Sequence, residues 1–176
     1  MPIPTANYLL HANWQLPQTE ELSTEQSSWL LETDSLTARL KSRCHLFRLQ
    51  LLSEQQLALP SLLHKELSCT GTAILREVML LCDEQPMIYA QSWLPASTLA
   101  AIEPLAQLGE QPLGEFIFRH PAITRGPIQL AKLDSRQLAL GVACPEARIW
   151  ARRSVFRLAE YPLQVVEAFL PGIYRL

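Results

Sequence analysis

Two charged side chains stand in rows that are otherwise apolar. In the stretch Thr72 to Pro95, TAILREVMLLCDEQPMIYAQSWLP, strand alternation puts Ile74, Arg76, Val78, Leu80 and Cys82 on one face and Leu75, Glu77, Met79 and Leu81 on the other. Arg76 is therefore held among hydrocarbon. A guanidinium keeps its proton, and withdrawing it from water is costly unless an anion and good hydrogen bonds meet it. Near the other end of the chain, Leu163, Val165, Glu167 and Phe169 share a face, so an anion stands in the same predicament. Two arrangements satisfy both. Arg76 and Glu167 can neutralise each other as a buried structural pair. Alternatively they line a pocket in which Arg76 grips a carboxylate in a bidentate fork and Glu167 accepts a hydroxyl proton at the ligand's far end. Further cations come from Arg152, which alternates with Trp150, Ser154, Phe156 and Leu158, and from the Thr124-Arg125 pair. An arginine near a strand start is also commonly solvated.

Other chemistries lack their residues. There is no GxSxG elbow, no HExxH and no glycine-rich loop ending in Lys-Ser or Lys-Thr. His120 precedes a proline, and His11, His45 and His64 sit in unrelated stretches, which favours packing or surface roles. The four cysteines, Cys44, Cys69, Cys82 and Cys144, make no CxxC pair and no zinc-type cluster, so they read as buried apolar fillers in a reducing compartment. Fifteen Lys and Arg against seventeen Asp and Glu give a net charge of -2, which provides no basic field for nucleic acid or an anionic membrane. The start, MPIPTANYLLHANWQL, is unlike a signal peptide, and no run reaches the length of a membrane span. A cytoplasmic protein of one domain is the expectation.

The elements that must position these charges follow from periodicity. Residues up to about 20 are mixed and proline-bearing, with Pro2, Pro4 and Pro17, and are expected to be anchored by Tyr8, Leu9, Leu10, Trp14 and Leu16 rather than to form a free tail. Ser23 and Gln26 have capping-box spacing, and Trp29, Leu30, Leu36 and Leu40 recur at helical intervals, so two short helices with a break near Thr33 and Asp34 are predicted. Cys44 to Ser53 reads as a strand, and a helical piece is expected near Ser61 to Lys65. The strands Ala73 to Cys82 and Met87 to Leu94 fold back through Asp83-Glu84-Gln85-Pro86 as a hairpin. A helix from Ser97 or Thr98 to Gln107 stops at Gly109, and Pro112 opens a second, PLGEFIFR; the two form a cover. Ala122 to Leu133 is a strand candidate, and Gln137 to Ala143 is either an edge strand or a loop. A second hairpin joins Ala147 to Leu158 with Leu163 to Leu170 through Ala159-Glu160-Tyr161-Pro162. The class expected is α+β: an antiparallel sheet of about six strands with helices on one face and helical flaps over an internal pocket.

The pieces WLLETDSLTARL (Trp29 to Leu40), LREVMLLCDEQPMIYAQSWLPASTL (Leu75 to Leu99), LAQLGEQPLGEFIF (Leu105 to Phe118), ITR (Ile123 to Arg125), WARRS (Trp150 to Ser154) and PLQVVEAFLP (Pro162 to Pro171) together resemble chorismate pyruvate-lyase, the 4-hydroxybenzoate synthase family of ubiquinone biosynthesis. The resemblance implies an antiparallel sheet with flaps over a closed pocket. It also implies a substrate, chorismate, that loses pyruvate to give 4-hydroxybenzoate without metal or redox cofactor. By position, the family's carboxylate-binding arginine falls on Arg76 and its hydroxyl-facing glutamate on Glu167; main-chain contacts fall on Leu36 and Leu113. Arg152 and Arg125 are candidates for the enolpyruvyl carboxylate. The family commonly has Met where Leu36 stands, an exchange that spares a main-chain contact, and the segment between Arg125 and Trp150 looks expanded. The working unit is expected to be a monomer without nucleic-acid partner. A rival class is a non-catalytic effector-binding domain of the same fold, as in some transcriptional regulators, which carry a DNA-binding domain first; the residues before Ser23 are too few for one.

Overall fold

The computed structural model describes residues 4–176. Its centre is an antiparallel sheet of strands β1 (Phe47–Ala58), β2 (Thr72–Cys82), β3 (Gln85–Pro95), β4 (Ile123–Arg125), β5 (Gln129–Asp134), β6 (Arg148–Leu158) and β7 (Tyr161–Phe169). The order is β1-β2-β3-β7-β6, with β4 and β5 both paired to β6 as a broken edge. Seven strands replace the expected six because Ala122 to Leu133 does not run through. The Gly126 amide bonds the Val155 carbonyl at 2.8 Å, and Pro127, which has no N–H to offer, interrupts the ladder.

Both hairpins turn more tightly than expected. Asp83 and Glu84 take φ of +50° and +64°, the left-handed geometry of a two-residue turn whose twist matches that of the strands, so Gln85 and Pro86 already pair with Cys82 and Leu81. In the second hairpin Leu158 faces Tyr161 across Ala159 and Glu160. A turn two residues shorter slides the partner by two. It brings Arg152 directly opposite Glu167.

Among the described residues six α-helices surround the sheet: α1 (Pro4–Leu10), α2 (Thr24–Leu30), α3 (Leu36–Lys41), α4 (Ser61–Leu67), α5 (Ala96–Ala101) and α6 (Leu113–Arg119). The expected Ser23/Gln26 capping box closes α2, and the Ser35 hydroxyl accepts the Ala38 amide at 3.2 Å to start α3. A 3-10 turn over Glu103–Gln107 continues α5, and Gly109 at φ +55° ends that arm. The face bearing Val78, Leu80 and Ala90 packs against Trp29, Leu30, Leu36 and Leu40 of α2 and α3, while α6 places Leu113 and Ile117 over Phe156 and Leu163.

The expectation of helices on one face alone is corrected. Leu75, Met79, Leu81, Tyr89 and Trp93 on the reverse are buried as well, under Ala6 and Leu9 of α1, Leu63 and Leu67 of α4, and Leu138 and Leu140. β2 and β3 are apolar on both sides, and a row of that kind must be covered twice. The run from Gln137 to Ala143 is a loop that supplies part of this cover, with the Ala139 amide donating to Thr5 Oγ1 at 2.9 Å. The N-terminal stretch is helical from Pro4 and anchored by Leu9 and by Trp14 Nε1 on the Leu9 carbonyl, but Leu16 is 63% exposed; Pro2 lies outside the described residues.

The cysteine expectation is also corrected. Cys44, just beyond α3, and Cys82, the last residue of β2, form a disulfide, while Cys69 and Cys144 are half-buried free thiols. Pairing depended on bringing the end of α3 against the end of β2, which spacing along the chain does not reveal.

Candidate active site

Between the sheet and its flaps lies a partly open cavity, walled by side chains of β1, β2, β3, β6 and β7 and roofed by the starts of α3 and α6. Of the residues singled out from sequence, Arg76, Glu167, Arg152, Leu36 and Leu113 all line it. Arg125 does not form its wall, lying instead under Phe156 at the broken sheet edge with its guanidinium 4.9 Å from that ring.

Arg76 is 2% exposed and met by three acceptors. Its Nη1 donates to Glu54 Oε1 at 2.6 Å and to the Gly109 carbonyl at 2.8 Å, and Nη2 donates to the Gln111 carbonyl at 3.0 Å. The anion demanded by this arginine is therefore Glu54, not Glu167. Sequence reading missed it for a specific reason. Alternation from Phe47, Leu49 and Leu51 assigns Glu54 to the outer face, but the β1–β2 register shifts between Leu51 and Ser53, turning Glu54 onto the Arg76 side. A serine-glutamate pair after a leucine run is the only hint in the sequence.

Glu167 has its own counter-ion. Arg152 Nε donates to Glu167 Oε2 at 2.5 Å, and Arg152 Nη1 donates to the carbonyls of Leu30 at 3.3 Å and Glu32 at 2.8 Å. The direct Arg76–Glu167 pair, one of the two arrangements weighed from sequence, does not form. By register Arg76 faces Ser92, which faces Val165, while Glu167 faces Ala90. The two charged residues are thus two strands and two residues apart, roughly 12 Å at the backbone from ordinary sheet spacings. Both point to the same cavity with apolar Val78, Ala90 and Val165 between them.

Arg125 Nε donates to Ser154 Oγ at 3.0 Å and Nη1 to the Glu32 carbonyl at 3.2 Å. Burial first, then the neighbouring Arg152 charge, pull its pKa down to about 10, with Glu167 and Glu32 acting in the opposite sense. The three arginines thus tie both flaps to the sheet: Arg76 holds the loop between α5 and α6, and Arg152 and Arg125 hold the loop between α2 and α3.

Leu36 and Leu113 are the first residues of α3 and α6, where a backbone N–H has no intrahelical acceptor. Gly114 allows the two helix starts to approach. A Cβ there would lie 3.1 Å from Thr37 Oγ1, tighter than such contacts normally run. The cavity therefore offers two guanidinium groups, a carboxylate and main-chain donors on apolar walls, with no histidine or cysteine in its lining among the described residues. Among the described residues, no group of three His, Cys, Asp or Glu side chains gathers in a metal-binding cluster.

The family model for chorismate lyase matches residues 8–176. This chain belongs to the chorismate lyase family. Over 171 residues it is 44% identical to a probable chorismate pyruvate-lyase of Pseudoalteromonas translucida, covering 94% of this chain and 95% of the relative. It is 38% identical to a probable chorismate pyruvate-lyase of Ralstonia nicotianae, covering 90% and 87% respectively. Among solved structures, the effector domain of PhnF from Mycobacterium smegmatis superposes with a TM-score of 0.58 at 18% identity, over 80% of this chain and 91% of that one. A GntR-family ligand-binding domain from Bordetella bronchiseptica gives 0.55 at 18% identity, over 72% and 85%. At that identity the likeness shows a shared fold alone. The chorismate lyase fold of this chain is thus also the fold of regulator effector domains. Among the described residues no helix is long and apolar enough to cross a membrane.

Proposed function

We propose that this member of the chorismate lyase family is a chorismate pyruvate-lyase, converting chorismate to 4-hydroxybenzoate and pyruvate and so supplying the aromatic ring of ubiquinone. The observation that carries the reading is the cavity beneath the flaps with Arg76 and Glu167 facing it from separate strands, each buried or nearly so, in a chain of this family. Arg76 takes the ring carboxylate with donors not already spent on Glu54, Gly109 and Gln111. Glu167 accepts the ring hydroxyl, and Arg152, fixed beside it by their ion pair, faces the enolpyruvyl carboxylate, with Arg125 behind it. The amides of Leu36 and Leu113 complete the contacts at the flap side.

The reaction breaks the bond from the ring to the enolpyruvyl oxygen. The hydrogen on the neighbouring, hydroxyl-bearing ring carbon goes to the enolpyruvyl methylene, which becomes the pyruvate methyl. The ring becomes aromatic, which drives the step. The protein's share is positioning and electrostatics: it folds the side chain over the hydrogen it will take, stabilises charge on the departing oxygen, and excludes water. Such work needs oriented cations and a shut cavity. It acts, in this proposal, as one domain and a monomer in the cytoplasm, with chorismate as its partner.

Mixing the purified chain with chorismate and following 4-hydroxybenzoate and pyruvate tests the reading; equimolar appearance of both is expected. The fold shared with effector domains favours one rival, a non-catalytic binding module. Saturable binding of chorismate with no release of pyruvate would replace the proposal with that rival.

A further inference from the structure

Glu54 belongs to no part of the site deduced from sequence, yet it touches the residue on which carboxylate recognition rests. Of the five N–H donors of Arg76, three bonds are accounted for by Glu54, Gly109 and Gln111. Two remain, the number a carboxylate needs for a bidentate grip. Glu54 is not among the lining residues of the cavity and reaches Arg76 from the solvent side, its side chain 41% exposed against 2% for Arg76. Its position is fixed by the β1 bulge, which is itself pinned from the reverse face: Ser53 Oγ donates to Glu77 Oε2 at 2.6 Å, and Glu77 also accepts from Tyr89 and Gln91. A surface carboxylate meeting a buried arginine by chance would not need a register shift braced by a second buried carboxylate.

We infer that Glu54 is a positioning residue that acts through Arg76: it holds the guanidinium ready for a ligand's carboxylate and weakens the grip on that carboxylate by standing beside it. The inference rests on the reading of the site as one for chorismate and 4-hydroxybenzoate. Substrate and product both present a ring carboxylate to Arg76. A fixed negative charge next to that position repels both, so it raises KM and the product's Kd together. An enclosed product then leaves faster, and where release limits turnover kcat gains as well. The fully compensated arginine also keeps the α5–α6 loop tied down before any ligand arrives.

Glu54→Gln keeps an acceptor for Arg76 Nη1 and removes the charge; Glu54→Ala removes both and serves if the first variant fails to fold. With two carboxylates roughly 6 Å apart, and Glu54 wet enough that an effective dielectric of about 40 applies, losing one charge is expected to tighten 4-hydroxybenzoate binding about tenfold. Calorimetry on wild type and variant reads this directly, and KM should fall by a similar factor while kcat does not rise. A purely structural Glu54 predicts a lower Tm with product affinity unchanged or weaker, and that result overturns the inference while leaving the proposed function standing. Failure of the wild-type protein to bind 4-hydroxybenzoate overturns both.

Discussion

Replacing Arg76 separates recognition from stability, because its surroundings set the two costs apart. In the Arg76→Ala variant the Gly109 and Gln111 carbonyls each lose a donor, worth about 1 kcal/mol apiece, while Glu54 is exposed enough to return to water. The expected loss of stability is therefore about 2 kcal/mol, below the roughly 3 to 5 kcal/mol for breaking a fully buried pair. On the proposed reading, by contrast, the ligand's carboxylate loses the bidentate partner assigned to it. Truncating one side of such a charged pair costs about 2 to 5 kcal/mol, a fall of roughly 30-fold to several thousandfold in kcat/KM. Arg76→Lys keeps the charge near Glu54 but not the planar fork, and should recover most of the Tm while remaining at least about tenfold impaired. Steady-state kinetics on chorismate beside thermal melts measure both effects. If Arg76→Ala retains kcat/KM within a factor of about three, or if its activity loss only follows its unfolding, Arg76 is structural and the reasoning fails.

Three further outcomes are expected. Glu167→Ala strands Arg152, which is 2% exposed, without its counter-ion; a double-mutant cycle with Arg152→Ala should give a coupling of about 2 to 3 kcal/mol in melts, and a coupling near zero would mean the pair contributes nothing. Opening the Cys44–Cys82 disulfide frees a loop with a sequence separation of 38, for which the chain-entropy relation gives about 4 kcal/mol; denaturant melts with and without reductant should differ by most of that, a Cys44→Ser control should show no reductant effect, and thiol trapping in cells reports whether the bond forms there. Asp134 is held down to about 2 by its hydrogen bonds to Arg136, so its contribution is present above the ordinary carboxylate pKa and lost as pH falls from about 4 toward 2. The Tm gap between wild type and Asp134→Asn should therefore close over that interval; a gap that widens on acidification would contradict the sign.

Much of the fold was legible because alternation and caps are local. The rows carrying Arg76, Arg152 and Glu167, the capping box at Ser23, the start of α3 at Ser35 and the halt at Gly109 all depend on residues within a few positions of one another. Partnerships were not legible, because they depend on register. A second hairpin turned at Ala159-Glu160 instead of through Pro162 decides that Arg152, not Ser154, faces Glu167. One bulged residue in β1 decides that Glu54, not Ser53, faces Arg76. Neither leaves a mark in composition. The Gly126-Pro127 break in the edge strand did carry a signal, since a proline without an N–H cannot continue a ladder. The disulfide and the double cover of the sheet needed the third dimension outright.

The central claim is that a small aromatic acid lies across the cavity with its carboxylate on Arg76 and its hydroxyl on Glu167. The most direct test is a crystal structure of the protein with bound 4-hydroxybenzoate. The account predicts the ring over Val78, Ala90 and Val165, two oxygen contacts from the ligand carboxylate to the Arg76 guanidinium, and the phenol oxygen within hydrogen-bond distance of Glu167. A ligand bound in the reverse sense, or seated elsewhere with Arg76 still wholly engaged by Glu54 and the flap carbonyls, would contradict it.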